Sequence, residues 1–309
     1  MIRTEQRLSK KRFARVIGVP YSTYKRWTRP HRPPRKPHPR PQREKALRRI
    51  KTLPDGREHW GHRKVWAYLF HPAGGPSMST VERAMRDEGM LQPKRYLGEL
   101  RQLAAKRRAA FDEIPELRNR VWQMDITEFE TSGGGIWRIH DVCDYASKYC
   151  LASIARATGT ATDAIDAMNI AIAEARSVLG RPIILDCFDS DDAADAWHPL
   201  RIVTDNGPCY KSASFARFID SRLEIEHVRT RRKSPHTNGV VERFGGSLKY
   251  ERLFRHDIRD GLELQDHLDS YRWEFNEDRP HEYLDFERPG DVFRAGSLKL
   301  VQALRGSVP

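Results

Sequence analysis

A chain of 309 residues with 39% apolar and 31% charged side chains is long enough for one large domain with smaller appendages and a sizeable core. No apolar run reaches the length of a membrane span and the N-terminus lacks a signal-peptide core, so the expectation is a cytoplasmic protein with no membrane partner. The net charge of +13 is unevenly spread: residues 1–50 hold 17 Lys+Arg against 2 Asp+Glu, and the remainder is close to neutral. That is the pattern of a nucleic-acid-binding arm on a near-neutral body.

Along the chain, RFARVIGVPYSTYKRW (12–27) has a short apolar helix pattern, a turn at Gly18, a helix start at Pro20 and a second helix. Ala14, Gly18 and Tyr24 fall where a helix-turn-helix needs a small residue, a turn glycine and a core residue. Residues 1–29 therefore read as a basic helix-turn-helix-like module with Lys25 and Arg26 facing outward toward DNA. The Pro/Arg-rich PHRPPRKPHPRP that follows makes 30–41 an extended linker, whose Arg35 and Lys36 are candidate phosphate contacts. Residues 42–93 return to helical periodicity as a second small DNA-binding module. Ser79 is its expected N-cap, with Glu82 completing a capping box. His59, His62 and His71 lie there without a set of acids or thiols to make a metal site. Residues 94–119 read as a basic linker helix.

After residue 120 the pattern changes. VWQMDITEFE, IWRIHDVCDYA and YCLASIARA are short β-rich runs, the first two joined by the turn TSGGG. TATDAIDAMNIAIAEARSVLG (160–180) is an amphipathic helix stopped by Gly180. PIILDCF and RIVTDN are strand-like, SFARFIDSRL helical and IEHVR a strand. Hairpins followed by alternating strands and helices describe a mixed α/β sheet. Cys143, Cys150, Cys187 and Cys209 show no CxxC or zinc spacing and are expected to be free thiols.

Three acids stand out. Asp125 lies inside a strand, a costly place for a carboxylate without a cation. Asp205 follows a strand in the turn Asp-Asn-Gly, and Glu242 begins a helix in SPHTNGVVERFGGSLKYE. One acid within a strand, one at a strand end and one on a helix can converge at one end of a sheet. Three hard oxygen donors suit Mg²⁺ or Mn²⁺, and a pair of such ions serves in-line phosphoryl transfer. Asp144 reads as a structural strand-end acid, and the acidic run DCFDSDDAADAWHP (186–199) as a solvated surface insertion.

WQMDIT, TDNG and SPHTNGVVERF together resemble the three signature blocks of the integrase-core superfamily, the insertion-sequence transposases whose catalytic domain is similar to retroviral integrase. YRWEFNEDRPHEYLDFERPGDVF (271–293) resembles that family's C-terminal Asn…Arg-Pro-His…Leu…Pro block. HWGHRKVWAYLF and STVERAMRDEGML resemble its preceding helical DNA-binding segment. The resemblance covers most of 42–293.

It implies an RNase H-like mixed sheet with flanking helices over 120–260, behind small all-α helix-turn-helix modules and followed by a C-terminal helix and tail (261–309). It also implies a catalytic and metal-binding triad of Asp125, Asp205 and Glu242 with two Mg²⁺ ions. The activity implied is that of a DNA transposase, cleaving transposon ends and transferring the 3′-OH to target DNA. The partners implied are double-stranded DNA with terminal inverted repeats and further copies of the chain. Along the helix from Glu242, Lys249 lies two turns on at i+7, on the same face, as a DNA contact. His236 and Asn238, in the loop before it, are further DNA contacts. The rival reading is an inactive or domesticated DNA-binding regulator that retains the fold.

Overall fold

The computed structural model describes residues 8–28, 40–57, 59–91, 114–188, 197–229 and 239–306. The chain divides into two compact units, Met1–Pro41 and Gln42–Pro309. The first holds α1 (Lys10–Val16) and α2 (Tyr21–Trp27). Ser9 caps α1, Gly18 turns the chain at φ +71°, and Ala14 and Tyr24 are buried. The positive φ explains the glycine, since a side chain there is strained.

All but the first residue of α3 (Pro41–Ile50) belongs to the second unit, followed by α4 (His62–Phe70) and α5 (Met78–Asp87). They close over Ala46, Ile50, Trp60, Val65, Phe70, Val81 and Met85. The expected N-cap at Ser79 is corrected: Ser77 caps α5, its hydroxyl accepting from the Thr80 amide. Helix therefore begins two residues earlier, which places Glu82 outside capping-box reach. It pairs instead with Arg86 one turn on.

The sheet follows. Strands β1 (Val121–Glu130), β2 (Ile136–Asp144) and β3 (Cys150–Arg156) form an antiparallel meander. After α6 (Ala161–Leu179) come β4 (Leu200–Thr204), α7 (Ala213–Asp220) and β5 (Ile225–Arg229), then α8 (Gly239–Glu251) and α9 (Gly261–Trp273). The strand order is β3-β2-β1-β4-β5, with β4 parallel to β1 and β5 parallel to β4. This is the RNase H-like mixed sheet. One face packs on α6 through Trp122, Met124, Ala164, Met168 and Ala171. The other packs on α8 and α9 through Ile139, Phe244, Leu248, Leu264 and Tyr271. Trp122 is fully buried, and truncating such a residue to Ala typically costs about 3–5 kcal/mol. α10 (Pro289–Ala295) and α11 (Leu298–Gly306) end the fold.

Helix α6 follows its sequence signals closely. Thr160 and Asp163 form a reciprocal capping box, and Gly180 closes it in the left-handed region. The strand expected at PIILDCF is corrected: Ile183–Cys187 is a 3₁₀ turn. Pro182 leads into it, and Asp186 within it gathers Arg118, Asn119 and Arg181. Most of the expected linker helix lies outside the described residues, and its last residues are not helical: 114–116 are irregular and 117–119 bend and turn.

Candidate active site

β1 alternates in chemistry as well as in direction. Trp122, Met124 and Ile126 enter the α6-side core, so Gln123, Asp125 and Thr127 project toward α8. Gln123 is fully buried. Its Oε1 accepts the backbone N–H groups of Val240 at 2.8 Å and Val241 at 3.3 Å. These first-turn donors have no acceptor within their own helix. A strand side chain thus caps α8 from outside, fastening the turn that carries Glu242 to the strand that carries Asp125.

Because β1 and β4 are adjacent and parallel, their C-terminal halves open on the same edge. Asp205 follows β4 there, its Oδ1 accepting from the Gly207 amide at 2.8 Å. Glu242 is exposed on the first turn of α8. Asp125 is half-buried, and its carboxyl is pushed up to about 6. Burial is the largest cause, the Ile126 amide opposes it, and the charges of Asp205 and Glu242 add to it. Lys249, one face with Glu242, pulls the other way on both Asp125 and Asp141. Three acids from three elements therefore share one field. Among the described residues, no three His, Cys, Asp or Glu side chains stand grouped so as to hold a metal ion. The donor chemistry nevertheless fits a hard dication, because mutually repelling carboxylates at a half-buried centre are an excess of charge that such an ion neutralises.

Asp141 is a residue the sequence reading missed. It is the cross-strand partner of Asp125 and almost wholly buried. Ser153 Oγ donates to it at 2.7 Å. Burial first, and then the Asp125 charge, push its carboxyl up to about 7. The signals for it and for Gln123 were the period-two polar positions in WQMDIT and IHDVCD, lying opposite one another across a hairpin.

Asp144 is structural, as expected: its carboxylate accepts from the Asn119 amide and from the amide and hydroxyl of Ser147. Lys25 and Arg26 stand exposed in the last turn of α2, in the separate N-terminal unit. Arg35, Lys36, His236 and Asn238 lie outside the described residues.

Two models described as integrase core domain match residues 115–235 and 223–289, together more than half of the chain. The chain belongs to the integrase-core family. It is similar to an Escherichia coli "Insertion element IS2A uncharacterized 48.2 kDa protein", 26% identical over 243 residues, covering 77% of this chain and 53% of that one. This chain thus spans about half the length of that relative. It is also similar to the Escherichia coli "Transposase InsD for insertion element IS2A/D/F/H/I/K", 25% identical, covering 76% of this chain and 73% of that one. Among solved structures it is similar to a chain of a simian T-cell lymphotropic virus intasome in complex with PP2A regulatory subunit B56 gamma. The TM-score is 0.40 at 24% identity, over 71% of this chain and 66% of that one. It is similar too to the catalytic core domain of BIV integrase, with a TM-score of 0.38 at 17% identity, over 62% of this chain and 99% of that one.

Within the integrase core, the Asn…Arg-Pro-His block is explained by the far end of α8. Asn276 holds the β3 edge through both atoms of its amide, to Cys150 N at 2.8 Å and Cys150 O at 2.9 Å. Arg279 forks onto Glu251 with two bonds of 2.9 Å. Lys64 of α4 reaches the same carboxylate, and Tyr271 donates to it at 3.2 Å. Arg57–Asp278 and Arg63–Glu282 pairs, with Trp66 edge-on to Phe286, complete the seat of the helical module.

Proposed function

We propose that the chain is a DNA transposase that cleaves transposon ends and transfers the 3′-OH to target DNA by phosphoryl transfer. The observation that carries this reading is the shared field of Asp125, Asp205 and Glu242, built from a mid-strand position, a strand end and a helix start. The likeness to an insertion-element transposase supports it.

In this reading the three carboxylates hold Mg²⁺ as a pair of ions, with Mn²⁺ as a substitute. The ions supply Lewis acidity at the phosphoryl group being transferred. Gln123 keeps the Glu242 turn in register with Asp125. Lys249 meets a phosphate of the DNA beside the carboxylates, where a flexible ammonium acts as a point charge. Lys25, Arg26, Arg35 and Lys36 contact the DNA ends, with His236 and Asn238 near the reacting strand. Double-stranded DNA with inverted terminal repeats is the substrate, and two ends held together require more than one copy of the chain.

The test is Mg²⁺-dependent joining of oligonucleotides that carry the inverted repeats flanking the gene. Wild type should join them and Glu242→Gln should not. Equal joining by the two proteins would sink the catalytic assignment and leave a DNA-binding regulator. Deleting residues 1–41 should weaken DNA binding and flatten its dependence on salt, because fewer counterions are released.

A further inference from the structure

Beside the first turn of α8, on residues the catalytic reading does not use, the fold leaves a cavity of about 420 Å³. Its walls combine two chemistries. Tyr145, Tyr283 and Phe275 give it aromatic surface, while Lys148, Arg243 and His281 give it basic groups. The size is that of a site for one small organic molecule.

The basic groups are poorly compensated. Among the described residues, neither Lys148 nor Arg243 forms an ion pair with a carboxylate. Lys148 bonds the Tyr145 carbonyl and sits 4.3 Å from that residue's ring centroid, and Arg243 lies 4.7 Å from the Tyr283 ring centroid. The acids nearby are occupied, Asp144 by Asn119 and Ser147 and Glu116 by Lys299. His281 is 7% exposed and its Nδ1 has no hydrogen-bond partner among the described residues. Burial first, and then Asp144 against it and Arg243 with it, leave the Lys148 ammonium at about 8. His281 is held well below its ordinary value by burial and then by Arg279, Lys148 and Arg243. A lysine and an arginine without carboxylate partners among the described residues, set against aromatic rings in one cavity, mark a site for an anion carried on a flat apolar body.

We propose that this cavity binds a single unpaired nucleotide of the DNA substrate, the base against Tyr145 and Tyr283 and the phosphate on Lys148 and Arg243. The nucleotide is the amphiphilic anion that a DNA-joining enzyme meets, so this assignment of the occupant rests on the proposed function. Stacking on aromatic faces tolerates any base, so the site reads an unpaired end and not a sequence. Gly239, Val240 and Arg243 belong to both the cavity wall and the first turn of α8, which places the occupant within one helical turn of Glu242.

The test uses the full chain with three probes: deoxyadenosine 5′-monophosphate, deoxyadenosine and inorganic phosphate. Titration calorimetry should show the monophosphate binding at least about 10-fold more tightly than either fragment. Arg243→Gln and Lys148→Asn should each weaken it about 10-fold without changing deoxyadenosine binding. Asn is chosen because Lys148 has φ +64°, which Asn tolerates. A duplex ending in one unpaired nucleotide should displace the monophosphate, and a blunt duplex of equal length should not. The proposal is overturned if phosphate binds as well as the monophosphate, or if nothing saturates by about 10 mM. It is equally overturned if correctly folded Arg243→Gln binds like wild type or if the blunt duplex competes equally. Asp125→Asn/Glu242→Gln should keep full nucleotide binding. Loss of joining with retained binding therefore faults only the catalytic reading, and intact joining without binding faults only the cavity.

Discussion

Helix α8 carries a glutamate near each end, and the two have opposite surroundings. Glu242 is exposed and adds its charge to that of Asp205 at Asp125. Glu251 is only partly exposed, yet its carboxyl is held well below the usual range. Burial would raise it, and Arg279, His59 and Lys64 overcome that cost. Arg279 is the principal partner: Lys64 is itself lowered to about 8, by burial and by the Arg279 charge. One helix thus separates two uses of an acid. At Glu251 the surroundings complete the charge, which fixes the helix against α4 and the C-terminal block. At Glu242 the charge adds to that of Asp205 in raising Asp125 against the pull of Lys249, an arrangement that a bound cation relieves.

The widest break in this comparison is catalytic against structural loss. Glu242→Gln should lower strand joining on the order of 10³-fold or more, about 4 kcal/mol of barrier. Its unfolding free energy should change by no more than about 0.5 kcal/mol, as at exposed positions generally. Glu251→Gln should do the reverse, costing about 3–5 kcal/mol by leaving Arg279 buried without its counter-charge. Urea denaturation with a far-ultraviolet readout checks both. The pH dependence has a definite sign. The folded Glu251 carboxyl lies below its ordinary 4.5, so its stabilisation is fully present above that pH and is lost as pH falls through the lower folded value. Acid unfolding of Glu251→Gln should therefore lack the part of the wild-type slope that lies below about pH 4.5. An unchanged slope would mean that the Arg279 fork does not hold the charge.

Much of this was legible in the sequence, for identifiable reasons. Asp125, Asp205 and Glu242 are each ordinary when taken alone, as a strand acid, a turn acid and a helix-start acid, and it is the three blocks WQMDIT, TDNG and SPHTNGVVERF together that single them out. The amphipathic spacing and closing glycine of α6 are local signals that mark the helix directly, and its Thr160–Asp163 capping box is local too. The Glu251 cage was not legible, since His59, Lys64, Tyr271 and Arg279 come from separated segments and meet only after folding. The 3₁₀ turn at Ile183–Cys187 was hidden likewise, because Asp186 finds Arg118 and Asn119 across the fold. Gln123 lay between the two cases: its polar place in an apolar strand was visible, its partner on α8 was not.

A smaller effect tests how tightly the Glu242 end is held. Gln123→Leu removes the acceptor of two N–H groups, that of Val241 buried and that of Val240 partly so, and should cost about 1–3 kcal/mol of stability. It should also raise the Mg²⁺ concentration needed for half-maximal joining, because Glu242 loses register with Asp125. Gln123→Glu still offers an oxygen to both donors and should preserve the folded helix start. Joining by Gln123→Leu at the wild-type Mg²⁺ midpoint would reduce the cap to a purely structural role.

The smallest effect concerns the glycines between the two glutamates. A Cβ at Gly245 would stand 3.3 Å from Thr127 Oγ1 and 3.7 Å from Asp141 Oδ2, whereas one at Gly246 meets nothing within 4 Å. Close packing of α8 on the sheet therefore accounts for Gly245, and the gain in helix propensity from Gly245→Ala should be offset by crowding. Gly246 has no such reason within the fold, and Gly246→Ala should add about 1 kcal/mol of stability. Position 246 follows Glu242 by one turn and precedes Lys249 on the same face, so a bare stretch of backbone forms the floor between those two side chains. If DNA lies on that floor, Gly246→Ala should be more stable and join several-fold more slowly. A variant that is more stable and joins at the wild-type rate would show that DNA never approaches the backbone there, confining substrate contact to the two side chains that flank it.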